Sequence, residues 1–243
     1  LDLQEIDDYA ADLVQQDIQL VIPNDPEELT YDLSELKDLY LSTLDRISKS
    51  ENSDDDTYRF KAARYSPVLY VHEDMKDKLA KELEEKTGIK FNLLIGRQAN
   101  VASFMRHLLV GRFESSVAAF QSSLGYMINS CEHILKWVDK RRKIPIYKKG
   151  NLPDVSDFYE DSDDGWEEIE EAFEKYEAKG FFEIDMKYVK EEFVTDVELD
   201  LQLLKSLREQ WFGKDNKIQF DPKLDSFIDI VRDKMETDPK RKL

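Results

Sequence analysis

One stretch limits the fold more than any other. Across residues 113–138 the apolar side chains Phe113, Val117, Phe120, Leu124, Met127, Ile128, Cys131, Leu135 and Val138 recur at the spacing of a single helix face. At about 1.5 Å per residue, the spacing predicts a rod on the order of 40 Å long. A stripe that long does not stay in water, so a second long helix must cover it. Residues 189–212 offer one, with Phe193, Val197, Leu201, Leu204, Leu207 and Trp211 on one face and Gly213 at the end. The two are expected to pack antiparallel.

The composition favours the same outcome. Only 8 glycines and 7 prolines interrupt 243 residues, and 41% of the chain is hydrophobic. The expected fold class is therefore all-α (mainly α). It is a helical bundle with long antiparallel helices and at most a few short strands, near 18–33, 144–147 and 181–184. Other helices are expected over 3–16, over 36–47 behind Ser34 as cap, over 73–86 closed by Gly88, and from about residue 98. A last one follows Asp221-Pro222, with Asp221 as N-cap and Pro222 in the first turn. Between the early helices, residues 58–71 form an aromatic-rich patch broken by Pro67.

Charge is unevenly spread. The net charge is -18, which repels phosphate at long range. Residues 151–200 hold 19 Asp or Glu against 4 Lys, and the 151–180 part is expected at the periphery. Residues 136–149 are the opposite: Lys136, Lys140, Arg141, Arg142, Lys143, Lys148 and Lys149 stand against Asp139 alone. Such a cluster can contact a nucleic-acid backbone, with Trp137 and Tyr147 able to stack on bases. It can equally be a basic helix end that answers the helix dipole and the acidic block beside it.

Catalytic signatures are missing. There is no Gly-x-x-x-x-Gly-Lys-Ser/Thr loop, no Gly-x-Gly-x-x-Gly and no Gly-x-Ser-x-Gly elbow. His72, His107 and His133 lack Cys or His neighbours at metal spacing. The carboxylates read as a solvated acidic face, and neither a catalytic nor a metal-ligating residue is expected. Cys131 stands alone in an apolar helical pattern, which points to a buried thiol in a reducing compartment. No apolar run is long enough for a membrane span and no signal peptide opens the chain, so the expected location is cytoplasmic. The first residue is Leu1, not Met, as expected of a segment cut from something longer.

Two blocks combine charge with cap-forming residues. In Arg106-His107-Leu108-Leu109-Val110-Gly111-Arg112-Phe113-Glu114-Ser115-Ser116, the serines interrupt a helical run and Glu114 can pair with Arg112 or cap a backbone. The second block is Asp221-Pro222-Lys223-Leu224. Leu108 to Ser116, with Ala119-Phe120, resembles the segment between the two RecA-like motor lobes of bacterial Swi/Snf-type superfamily II helicases. Asp221-Pro222-Lys223-Leu224 with Phe227, then Asp238-Pro239-Lys240-Arg241-Lys242-Leu243, is similar to the helix that opens the second lobe in that family. Arg64-Tyr65-Ser66-Pro67-Val68-Leu69-Tyr70 also looks like its inter-lobe region.

The resemblance implies a division of the chain. Residues 1–57 would follow the first lobe, 58–220 would form a helical inter-lobe domain, and 221–243 would open the second lobe. It implies a role in coupling the flanking lobes and contacting duplex nucleic acid, with Arg106 and Arg112 joining the 136–149 cluster. The family's Walker motifs lie in its first lobe and its arginine finger in its second, so ATP and Mg would belong to the parent protein and no cofactor to this stretch. Glu114, Ser115, Ser116, Asp221 and Lys223 would be structural members of the motif. The alternative is a freestanding acidic helical protein-interaction module.

Overall fold

The computed structural model describes residues 30–48, 58–147 and 181–237. The chain divides into two units, Leu1–Tyr31 and Asp32–Leu243, and almost all described residues belong to the second. That unit is mainly α. Among the described residues it contains α1 (Lys37–Ser48), α2 (Lys76–Thr87), α3 (Phe91–Ser115), α4 (Val117–Arg141), α5 (Glu192–Phe212) and α6 (Pro222–Thr237). One two-stranded sheet accompanies them, β1 (Lys143–Tyr147) antiparallel to β2 (Phe181–Asp185), with Ile144 opposite Ile184. These strands fall where two of the short strands were expected.

The long stripe is shared between two helices, not one. α3 and α4 are each 25 residues long and meet at Ser116, whose backbone is extended. The Ser116 hydroxyl accepts from Ala119 N at 3.1 Å, capping α4. Phe113 therefore closes α3, and α4 begins at Val117. The period survives the break because Phe113 and Phe120 still meet across it, with ring centroids 4.7 Å apart. α3 also starts at Phe91, a full turn and more before residue 98, because the chain turns into it directly after Gly88 closes α2 with φ +70°.

α4 and α5 run antiparallel as expected. Phe120 at the start of α4 sits 6.2 Å from Trp211 at the end of α5, and Glu132 further along pairs with Lys205. Their buried faces, Phe120, Leu124, Ile128 and Val138 against Phe193, Val197, Leu204 and Leu207, form the middle of the core. Residues 30–33 form no strand. The readings for 3–16, 18–22, 50–57, 151–180 and 238–243 fall outside the described residues.

An aromatic knot closes one end of the bundle. Tyr40 of α1, Phe113, Phe120, Trp211, Phe212 and Phe220 stack in a chain of ring contacts. Trp211 Nε1 donates to the Thr43 hydroxyl at 2.9 Å, which satisfies the one polar atom of a buried indole. α1 thus belongs to the same body as the later helices.

Candidate functional site

The two blocks singled out in the sequence meet at this knot. Asp221 is buried and accepts from Leu224 N at 3.0 Å, so it caps α6. The Lys223 ammonium donates to the carbonyls of Glu114 and Ser115 at 3.0 and 3.1 Å. A helix C-terminus presents carbonyls without partners and a partial negative charge, and a lysine there answers both. One cation thus ties the start of α6 to the α3–α4 joint. Glu114 contributes its backbone to this tie, and among the described residues no ion pair joins it to Arg112. Arg112 is exposed and Arg106 half-exposed on α3.

α6 itself is amphipathic but uncovered. None of its residues is buried, and Leu224, Phe227 and Met235 are 50%, 51% and 51% exposed along one stripe with Ile228. A helix with such a stripe is held by packing in a folded protein, not by its own propensity.

The basic cluster is partly used up inside the fold. Glu183 of β2, only 8% exposed in its side chain, binds Arg141 Nε at 2.9 Å and lies 3.2 Å from the Lys143 ammonium. It also accepts from Trp137 Nε1 at 3.0 Å. Trp137 is fully buried, with the Arg141 guanidinium 5.3 Å over its ring, so it stacks on no base. Lys136, Lys140 and Arg142 are exposed. Arg142 adopts the left-handed conformation at φ 54°, ending α4 and turning the chain into β1. Lys148 and Lys149, and the Tyr147 side chain, are outside the described residues.

Two carboxylates read as part of a solvated face are in fact buried. Glu183 is one. The other is Asp200 of α5, which is fully buried and accepts from Tyr58 Oη at 2.9 Å, Lys61 N at 2.8 Å and Ala63 N at 2.8 Å. Burial pushes its carboxyl up to about 6, against the lowering effect of those three hydrogen bonds. The neighbouring Asp196 holds the Lys61 ammonium at 3.0 Å and the Tyr70 hydroxyl at 2.9 Å. Together they pin residues 58–71, which wind through two 3-10 turns and place Ala62 at φ 57°. Arg64, also buried, donates to the Ser130 carbonyl of α4 at 3.0 Å. This network is an anchor: no solvent reaches Asp200, and all its donors belong to the strap it holds. Its signal was in the sequence, since Asp200 lies on the stripe of Val197, Leu204 and Leu207.

Burial pushes the Cys131 thiol up to about 12, which leaves it unreactive at neutral pH. Among the described residues no cluster of His, Cys, Asp or Glu is arranged to hold a metal ion, and no helix is long and apolar enough to cross a membrane. Of the described glycines, Gly88 and Gly213 end α2 and α5, while Gly96, Gly111 and Gly125 lie within α3 and α4. Comparison of the chain with protein-family models, curated proteins and solved structures gives no match.

Proposed function

We propose that this chain is the helical region between the two motor lobes of an ATP-dependent Swi/Snf-type helicase or translocase, working in the cytoplasm. It couples the lobes and touches duplex nucleic acid, while ATP and Mg are bound by the flanking lobes of the same polypeptide. The observation that carries the reading is α6. Its apolar stripe is bare, and its start is fastened by Lys223 to the joint formed by Glu114, Ser115 and Ser116. A neighbouring lobe packed on that stripe would move α6, and the tie would pass the movement to the bundle. Sequencing the gene outward tests this: a Walker A loop upstream and an apolar strand directly after Leu243 are expected. A stop codon after Leu243 would defeat the reading.

Nucleic-acid contact falls to the exposed part of the basic cluster. Changing Lys136, Lys140 and Arg142 together to Glu should abolish weak duplex binding and flatten its salt dependence by up to about three in the log–log slope. Filter binding across a salt series measures this, and equal binding by both proteins removes the cluster from the mechanism. Arg141 and Lys143 are unsuitable targets, because reversing them would set carboxylates against the buried Glu183.

A further inference from the structure

The outward face of α3 has no role in the coupling just described. Leu93, Arg97, Asn100, Phe104, His107 and Gly111 follow one another at spacings of four, three, four, three and four, which places them on one face of the helix. All six are exposed, and the two large apolar ones, Leu93 and Phe104, are 56% and 62% exposed. The helix's own charge is of one sign up to Phe113, while Asp77 and Glu84 of α2 line the cavity beside Leu93. From Lys86 to Phe113 the chain has no Asp or Glu but carries Lys86, Lys90, Arg97, Arg106 and Arg112, in a protein of net charge -18. Gly96 and Gly111, both inside the helix, face open space where a side chain would be. Glycine weakens a helix, and neither position gains packing for it among the described residues.

We propose that this face binds an acidic amphipathic helix of a partner protein. Leu93 and Phe104 supply apolar anchors about three turns apart, and the four-three spacing gives the register. The five cations of the 86–113 run, which outnumber Asp77 and Glu84 at its Leu93 end, give the preference for an acidic partner, and the two glycines let its backbone come close. A nucleic-acid backbone fits less well, since Leu93 and Phe104 would lie where phosphates need cations. The assignment stands on α3 alone and survives if the helicase reading fails.

The full chain is titrated with a three-heptad peptide bearing leucine along its seam and glutamate on its flanks, and with a twin in which lysine replaces glutamate. Fluorescence anisotropy reports binding. The acidic peptide should bind and its basic twin should be at least about tenfold weaker. Phe104→Ala should weaken the acidic peptide by about 30-fold and Arg97→Glu by about tenfold. Gly96→Leu should abolish binding while circular dichroism shows the helices intact. Equal binding of the two peptides, or no effect of Phe104→Ala, overturns the proposal. So does a single-stranded oligonucleotide that binds in place of the peptide and is lost with Phe104→Ala.

Discussion

Asp200→Ala is expected to cost the fold about 4 kcal/mol, measured by urea denaturation at neutral pH. The alanine would leave the Lys61 and Ala63 amides without their acceptor in a site no water reaches, and the Tyr58 hydroxyl with only the Asp196 carbonyl at 3.2 Å. Asp200→Asn keeps the shape but turns an amide N–H toward the Ala63 N–H, at a cost of about 2 kcal/mol. The pH dependence separates charge from shape. In the folded chain burial pushes the Asp200 carboxyl up to about 6, above the ordinary aspartate value of about 3.9. Between those two values the folded state keeps a proton that the unfolded chain has released. Its contribution to stability is therefore full below about pH 4, falls as the pH rises and is lost above about pH 6, by as much as about 3 kcal/mol. The asparagine protein should lack this slope. If alanine costs under 1 kcal/mol, the strap is held by something else.

Glu183→Ala is expected to cost about 2 kcal/mol and, at the same time, to tighten duplex binding. The carboxylate holds Trp137, Arg141 and Lys143 together. Its loss removes the carboxylate to which the buried indole N–H donates. The cost stays below that of a fully enclosed pair because Arg141 and Lys143 keep 21% and 45% of their side-chain exposure. The Lys143 ammonium becomes available to phosphate, so the salt dependence should steepen by about one in log–log slope. Thermal melting together with the filter-binding series reads both effects. A destabilised protein with unchanged duplex affinity would mean that the basic cluster serves the fold alone.

The sequence made the architecture legible where a local rule was strong. The α4 and α5 stripes, Gly88 at the end of α2, the Asp221-Pro222 start of α6 and the strands around Ile144 and Ile184 all follow from spacing or cap chemistry. The break at Ser116 was harder, because a helical period continued by Phe113 across a one-residue joint looks unbroken in one dimension. Buried carboxylates were hidden by abundance. In a run with 19 acids, Asp200 and Glu183 differ from their neighbours only by the face they occupy. The tie from Lys223 to Glu114 and Ser115 joins residues 109 and 108 positions apart, and no local pattern announces it.

The Asp200 anchor also sets an order of events during synthesis. Tyr58, Lys61 and Ala63 bond a residue that lies 142, 139 and 137 positions further on. At translation rates of about 5–20 residues per second, roughly seven seconds or more separate the strap from its acceptor. Through that interval the nascent chain holds amides awaiting a carboxylate the ribosome has not yet made. The latch therefore shuts late, once α5 emerges.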